Sequence, residues 1–241
     1  MNNFKNTNLV LIRGFYNDNF QDSLEEIHLQ TVKISGDSLK YIEKPSKHVC
    51  LEAVKNEGLS IQYLKNPDKE ICLTALKQNG FALQYIDQQD IEMCLVAINN
   101  HPLALKYVKN KCNYLIFNAL KKNGFAIQFV DTPTDAMKLI AIEQNPNSIQ
   151  FIIDADQDLL KLALYSKPSC IEYINESKIE LWKFALLRNI RLIKHLKNYN
   201  EELISFVLKI DAKNQKYLKQ EFLEKYYKRS NLYTLNLEVA S

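Results

Sequence analysis

A spacing of 22 residues runs through most of this sequence. Steps of 22 from Gly80 reach Gly58 and Gly36 on one side and Pro102, Gly124, Pro146 and Pro168 on the other. A second set, here called the aromatic column, keeps the same spacing: Tyr41, Tyr63, Tyr85, Tyr107, Phe129, Phe151, Tyr173, His195 and Tyr217. Alanine and Leu/Ile positions recur in phase with them, without insertions. Because a fixed period of this length is the signature of a repeat architecture, the chain is interpreted as about nine copies of one short unit.

The joint inside each unit is at Asn79-Gly80, in the stretch KQNGFALQYI. Taken alone, Asn-Gly between apolar runs indicates a β-hairpin turn, which needs a positive φ at both central residues. Proline occupies the glycine position in other units, and its φ is fixed near −65°. Proline is instead well suited to the first position of a helix, and asparagine is a good N-cap. The repeat therefore predicts that one helix ends and the next begins at Asn79-Gly80.

Each unit is thus predicted to hold two short helices. In the third unit, one helix is expected from Asp68 to Gln78, and a shorter one from Phe81 to Asp87 that buries Leu83 and Ile86. Capping residues recur where the longer helices are expected to start: Ser46, Asp68, Asp90, Thr134, Asp156 and Asn200. Helices this short are not stable alone in water, so successive units must bury one another's faces. The predicted fold is an all-α solenoid of helix-turn-helix repeats.

The two ends of the chain depart from the repeat. Residues 1–22 are predicted to form an irregular N-terminal cap, residues 23–220 the solenoid repeats, and residues 221–241 a C-terminal capping helix and tail. The last stretch, NLYTLNLEVAS, is expected to be an extended tail. No stretch rich in serine, glycine or proline separates these regions, so the repeats are expected to form one continuous domain.

The expected location of the protein is intracellular. No apolar run approaches the ~18 residues that a membrane span requires, and the N-terminus lacks the pattern of a secretory signal. Five cysteines, an odd number without a C-x-x-C pair, are also typical of a reducing compartment. A formal net charge of +3 is weak evidence for a polyanionic partner. The expected location is therefore the cytoplasm, or a host cell or virion if the source is viral.

The repeated segments CLEAVKNEGLSIQYL, CLTALKQNGFALQYI and ALKKNGFAIQFV resemble a known family. It is the domain-of-unknown-function family 4116, short helical repeats abundant in giant DNA viruses and found in some bacteria. The resemblance covers residues 27–175 well and residues 176–220 weakly. It implies a helical repeat architecture, and it implies no catalytic residues.

The sequence does not indicate an enzyme. Cys50, Cys72 and Cys94 share one position in successive units, but helices packed 8–10 Å apart hold such thiols too far apart for one zinc ion. They are predicted to be small buried hydrophobic residues. No phosphate-binding loop, H-E-x-x-H motif or other local catalytic signature occurs. We therefore expect no catalytic residues, metal or cofactor.

One polar residue precedes the aromatic residue in each unit, and this set is the candidate contact surface. It is called the polar column and consists of Lys40, Gln62, Gln84, Lys106, Gln128 and Gln150. Because it is polar in every unit, it is predicted to face solvent. The aromatic column is predicted to pack between units, although one aromatic residue and one glutamine or lysine per unit is also a pattern of RNA-binding repeats. The predicted function is a non-enzymatic scaffold that binds protein partners, and the alternative is a nucleic-acid-binding α-solenoid. The sequence does not indicate the partner or the oligomeric state.

Overall fold

The computed structural model describes the backbone of residues 24–239 and the side chains of residues 24–229. Every regular element in this range is a helix, as predicted, and consecutive helices pack against one another. The predicted N-terminal cap, residues 1–22, lies outside the described residues. Where the sequence predicts one continuous domain, the chain forms two compact units, here called unit 1 (through Lys122) and unit 2 (from Asn123).

Unit 1 alternates ten-residue α-helices with six-residue 3-10 helices. Its first described helix, α1, covers residues 24–34. The other elements, in chain order, are η1 Gly36–Tyr41, α2 Lys47–Asn56, η2 Gly58–Tyr63, α3 Lys69–Gln78, η3 Gly80–Tyr85, α4 Ile91–Asn100, η4 Pro102–Tyr107 and α5 Asn113–Lys122.

Unit 2 repeats this alternation and ends in a longer helix. Its elements are η5 Gly124–Phe129, α6 Asp135–Gln144, η6 Pro146–Phe151, α7 Gln157–Ser166, η7 Pro168–Tyr173, α8 Ile179–Arg188, η8 Ile190–His195, α9 Glu201–Ile210, η9 Ala212–Tyr217 and α10 Gln220–Val239. Because α10 is continuous to Val239, the prediction of a separate extended tail is wrong as far as that residue.

The α-helices begin where the sequence places capping residues. The Asp68 side chain accepts a hydrogen bond from the Ile71 backbone N–H at 3.0 Å. The other predicted caps make the same bond to the residue three positions later: Ser46, Asp90, Thr134, Asp156 and Asn200. Each cap satisfies one of the backbone donors that a helix leaves unpaired at its N-terminus.

The second helix of each unit is a 3-10 helix. At the joint, the Asn79 side chain accepts a hydrogen bond from the Phe81 N–H at 3.0 Å. Asn123, Asn145 and Asn189 make the equivalent bond. Among the described residues no glycine has a positive φ, so the rejection of a hairpin turn at Asn79-Gly80 is confirmed.

Glycine at the joint permits a close approach between successive repeats. A Cβ atom built on Gly80 would lie 2.3 Å from the carbonyl oxygen of Ala97, in the α-helix of the next repeat. Gly36, Gly58 and Gly124 meet Ala53, Ala75 and Ala141 in the same way, at 2.5, 2.5 and 2.2 Å. All these alanines are fully buried. The glycine and alanine columns of the sequence are therefore the two sides of one contact.

Amide side chains connect successive repeats at this contact. The Oε1 atom of Gln78 accepts from the Gly58 N–H at 2.8 Å, while its Nε2 donates to the Asn56 carbonyl at 3.1 Å. Asn100 does the same one repeat later, accepting from the Gly80 N–H at 2.7 Å and donating to the Lys77 carbonyl at 2.8 Å. One amide thus satisfies an orphan carbonyl at a helix C-terminus and an orphan N–H at the next helix N-terminus.

Candidate interaction surface

The polar column lies on the 3-10 helices and faces solvent. All six of its members are exposed; Lys40, Gln62, Gln84 and Lys106 belong to unit 1, and Gln128 and Gln150 to unit 2. The 3-10 helices η1 to η4 pack side by side in unit 1. The four members in unit 1 therefore recur once per packed repeat on adjacent 3-10 helices.

The glutamines of the column are held by their own helices. Nε2 of Gln84 donates to the Phe81 carbonyl at 3.1 Å, and Gln128 and Gln150 donate to Phe125 and Asn147 at 2.9 and 3.0 Å. With the amide nitrogen bound inward, the amide oxygen is the atom available to an incoming group. The glutamines thus present hydrogen-bond acceptors.

The lysines of the column lie against neighbouring tyrosine rings. Lys40 Nζ is 4.8 Å from the centroid of Tyr41, and Lys106 Nζ is 5.5 Å from that of Tyr107. Such cation–π contacts are weak at exposed sites. They orient each ammonium group beside an aromatic face, so the repeat unit of this surface is a polar residue next to a ring.

The aromatic column is not part of the core, contrary to the prediction. None of its members is buried: Tyr41, Tyr63, Tyr85 and Tyr173 are 80%, 37%, 41% and 41% exposed, and the other five are half-buried. Some rings still contact the preceding repeat, as Tyr107 does with Phe81 at a centroid distance of 6.2 Å. The column is therefore a half-exposed aromatic stripe within each unit.

The geometry of a 3-10 helix explains this correction. With three residues per turn, positions i and i+3 lie on one face. Gly80, Leu83 and Ile86 form the buried face of the η3 segment. Tyr85, two residues beyond Leu83, therefore points away from that face. A recurring aromatic residue at a fixed phase shows that the position is equivalent in every repeat, not that it is buried.

Ion pairs in unit 1 connect the first turns of neighbouring α-helices. Lys47 Nζ is 2.7 Å from Glu70 Oε2 and 2.9 Å from Asp68 Oδ2, and Lys69 contacts Glu92 and Asp90 at 2.7 Å each. These hydrogen bonds raise the pKa of both lysines. The Ile71 N–H and then Lys47 lower the pKa of Asp68. Because the groups are exposed, each pair contributes little to stability, but it occupies charges that could otherwise meet a partner.

The three equivalent cysteines are buried, as predicted. Cys50, Cys72 and Cys94 are 6%, 2% and 4% exposed, and burial raises the pKa of each thiol. A raised pKa disfavours the reactive thiolate. Among the described residues, no cluster of three or more histidine, cysteine or acidic side chains has a geometry that could hold a metal ion.

One pocket in unit 2 brings titratable groups together. It has a volume of about 350 Å³ and is lined by Glu172, Tyr173, Trp182 and His195, among others. His195, expected to be only a packing substitute, lies with Nδ1 3.3 Å from Glu172 Oε2. A hydrogen bond to the same carboxylate raises the pKa of Tyr173. No serine, threonine or cysteine lines the pocket, so it does not combine such a nucleophile with the histidine base.

The stacked helix pairs and their exposed columns define an α-solenoid repeat protein. Residues 68–111, two complete repeats, match the family model described as Domain of unknown function (DUF4116). The predicted resemblance to this family is thereby confirmed over those repeats. No curated protein and no solved structure gives a match to the chain. In the described part of the chain, no helix is both long and apolar enough to cross a membrane.

Proposed function

We propose that this protein is a non-enzymatic repeat scaffold that binds a protein partner through the polar column and the tyrosines beside it. The observation that carries the proposal is the surface of unit 1, where four successive repeats each expose a glutamine or lysine next to a tyrosine. Tyrosine is enriched in protein interfaces because it offers a large, rigid apolar area and a polar tip. Repeat proteins commonly use such equivalent positions for binding.

Charge alternation favours a protein over a nucleic acid. In the loops that follow η1 to η4, one exposed position per repeat carries Glu43, Lys65, Asp87 and Lys109 in turn. A nucleic acid requires cations along its phosphate backbone, and two carboxylates in this series oppose one. A protein segment can match alternating charges with its own side chains.

A nucleic-acid-binding solenoid is the second candidate. The observation that favours it is the half-exposed tyrosine beside Lys40 and Lys106, since aromatic rings and adjacent cations bind unstacked bases. This function predicts retention on heparin at low salt and an affinity that falls steeply as salt is raised. Absence of retention would exclude it.

The experiment for the scaffold function begins with affinity capture from the native cell or infected host, followed by mass spectrometry. The captured protein is then purified, and its affinity is measured for the wild type and for two variants. Replacing Gln62, Gln84 and Gln128 together with alanine tests the polar column. Tyr85→Ala tests the aromatic stripe, and we expect it to weaken binding about fivefold or more, as truncation of an interface tyrosine does.

Tyr114→Ala is the matched control. Tyr114 is also in unit 1 and is 58% exposed, but it lies on α5, outside both columns. Its removal should change the affinity less than about twofold, as expected for a surface residue outside the contact. Unchanged binding of the partner by both column variants would refute this surface, and equal losses in Tyr85→Ala and Tyr114→Ala would point to a general loss of folding.

A further inference from the structure

Two grooves open between successive loops of unit 1, one repeat apart. The first has a volume of about 590 Å³ and lies between residues 64–67 and residues 85–88. The second has a volume of about 500 Å³ and lies between residues 87–91 and residues 109–112. Both are lined by Asp87 and Gln88, so a segment bound in one groove can continue directly into the other.

Each groove has an apolar floor. Cys72, Ile86 and Met93 line the first and are 2%, 4% and 6% exposed; Cys94 and Leu115 line the second and are 4% and 2% exposed. Sulfur-bearing side chains are polarizable, and methionine is flexible enough to adapt to different neighbours. The grooves therefore suit apolar side chains of a partner better than charged ones.

The charges of unit 1 are paired unequally. Among its described carboxylates, every one except Glu43 accepts a hydrogen bond or pairs with a cation. In contrast, three exposed lysines on the column and loop side pair with no carboxylate among the described residues: Lys40, Lys44 and Lys65. Lys65 lines the first groove. Within this part of the chain, the charge left for a partner on this side is therefore mainly positive.

We propose that the two grooves bind an extended, acidic segment of a partner protein that carries apolar side chains three residues apart. The proposal rests on the scaffold function and adds the chemistry of the partner. Apolar side chains occupy the two floors, and acidic side chains between them face Lys65 and its unpaired neighbours. An acidic segment is favoured because the carboxylates around the grooves are already engaged.

The spacing follows from the repeat. Packed helices lie 8–10 Å apart, and an extended chain advances about 3.3 Å per residue. Three residues therefore advance by about one repeat, which places every third side chain over the next groove. A helical segment advances only 1.5 Å per residue and would need six or seven residues for the same step.

Fluorescence polarisation with the full chain tests the proposal. The probe is a labelled peptide with leucine at every third position and aspartate between. Two control peptides carry lysine in place of aspartate or serine in place of leucine, and a labelled single-stranded oligonucleotide of equal charge is the fourth probe. We expect saturable binding of the acidic leucine peptide and at least about tenfold weaker binding of both control peptides.

Lys65→Glu should weaken the acidic peptide about fivefold or more, because it reverses the charge at the rim of the first groove. Lys77→Glu is the matched control, with the same change of charge at an exposed position in the last turn of α3. Equal effects of the two substitutions, or equal binding of the serine peptide, would show attraction by overall charge and overturn the groove assignment. Tighter binding of the oligonucleotide would overturn it in favour of a nucleic acid.

The two proposals can fail separately. A captured partner that needs Tyr85 but is not displaced by the acidic leucine peptide would overturn the groove assignment and leave the scaffold function standing. Peptide binding that depends on Lys65, with a partner that is insensitive to Tyr85 and to the polar column, would support the grooves and refute the column.

Discussion

Gly80→Ala is the sharpest test of how the repeats are packed. Gly80 begins η3, where an alanine would normally stabilise a helix relative to glycine by roughly 0.5–1 kcal/mol. The structure predicts the opposite sign. The added Cβ would lie 2.3 Å from the Ala97 carbonyl oxygen and 3.1 Å from the His101 backbone nitrogen. Both are backbone atoms, which cannot move aside by changing a rotamer.

The expected loss of stability follows from these distances. Ordinary contact begins at 3.4 Å, so the two repeats must separate locally by about 1 Å. Overpacking of this kind costs about 1–3 kcal/mol. The same movement lengthens the 2.7 Å hydrogen bond from the Gly80 N–H to Asn100 Oδ1, which contributes roughly 0.5–1.5 kcal/mol. After the helix gain is subtracted, we expect a net loss of about 1–3 kcal/mol.

Thermal and urea unfolding followed by circular dichroism measures this loss. For a chain of this size, Tm should fall by about 2–4 °C for each kcal/mol. Ala212→Gly is the control, since Ala212 occupies the same column on η9 and is exposed. It should lose only the roughly 0.5–1 kcal/mol that glycine costs in a helix. If Gly80→Ala raised Tm, helix preference would outweigh packing, and the close contact with Ala97 would be refuted.

Two further predictions concern charge and hydrogen bonding. Asp68→Asn keeps a capping side chain but removes the carboxylate, whose pKa is lowered by the Ile71 N–H and by Lys47. A lowered pKa stabilises the fold above the unfolded pKa and loses that effect as pH falls through the folded pKa, so urea unfolding should separate the variant from the wild type at pH 7 and not at pH 2. Pro168→Gly should destabilise unit 2, because it creates an N–H without the amide acceptor that other repeats supply. Adding Arg188→Gln should restore part of the stability by supplying that acceptor, whereas Arg188→Gln alone should not stabilise.

Features set by neighbouring residues were predictable from the sequence. The cap at Asp68 and the joint at Asn79 depend on bonds to residues two or three positions away. Such bonds are local and follow from residue type. The cysteines were also predictable, because the spacing of packed helices excludes a shared metal whatever the details of the stack.

Features that depend on contacts between repeats were harder to predict. The sequence explains why glycine or proline can begin η3, but the need for glycine there comes from the Ala97 carbonyl, 17 positions later. The exposure of Tyr85 depends on η3 being a 3-10 helix, and a six-residue segment does not reveal its period. One signal was available: tyrosine rather than phenylalanine fills most of the aromatic column, and a buried hydroxyl would need a partner in every repeat.

The alternation of glycine and proline at the joint follows from the position 20 residues later. Glycine has an N–H, and in three repeats an amide 20 residues on accepts from it, in the pairs Gly58–Gln78, Gly80–Asn100 and Gly124–Gln144. Proline has no N–H to satisfy. Twenty residues after Pro168 stands Arg188, a donor only, which bonds the Tyr165 carbonyl at 2.8 Å. The carbonyl needs a donor in both kinds of repeat, and the acceptor is needed only after glycine. The two positions therefore change together because the backbone groups at one repeat boundary must all be satisfied.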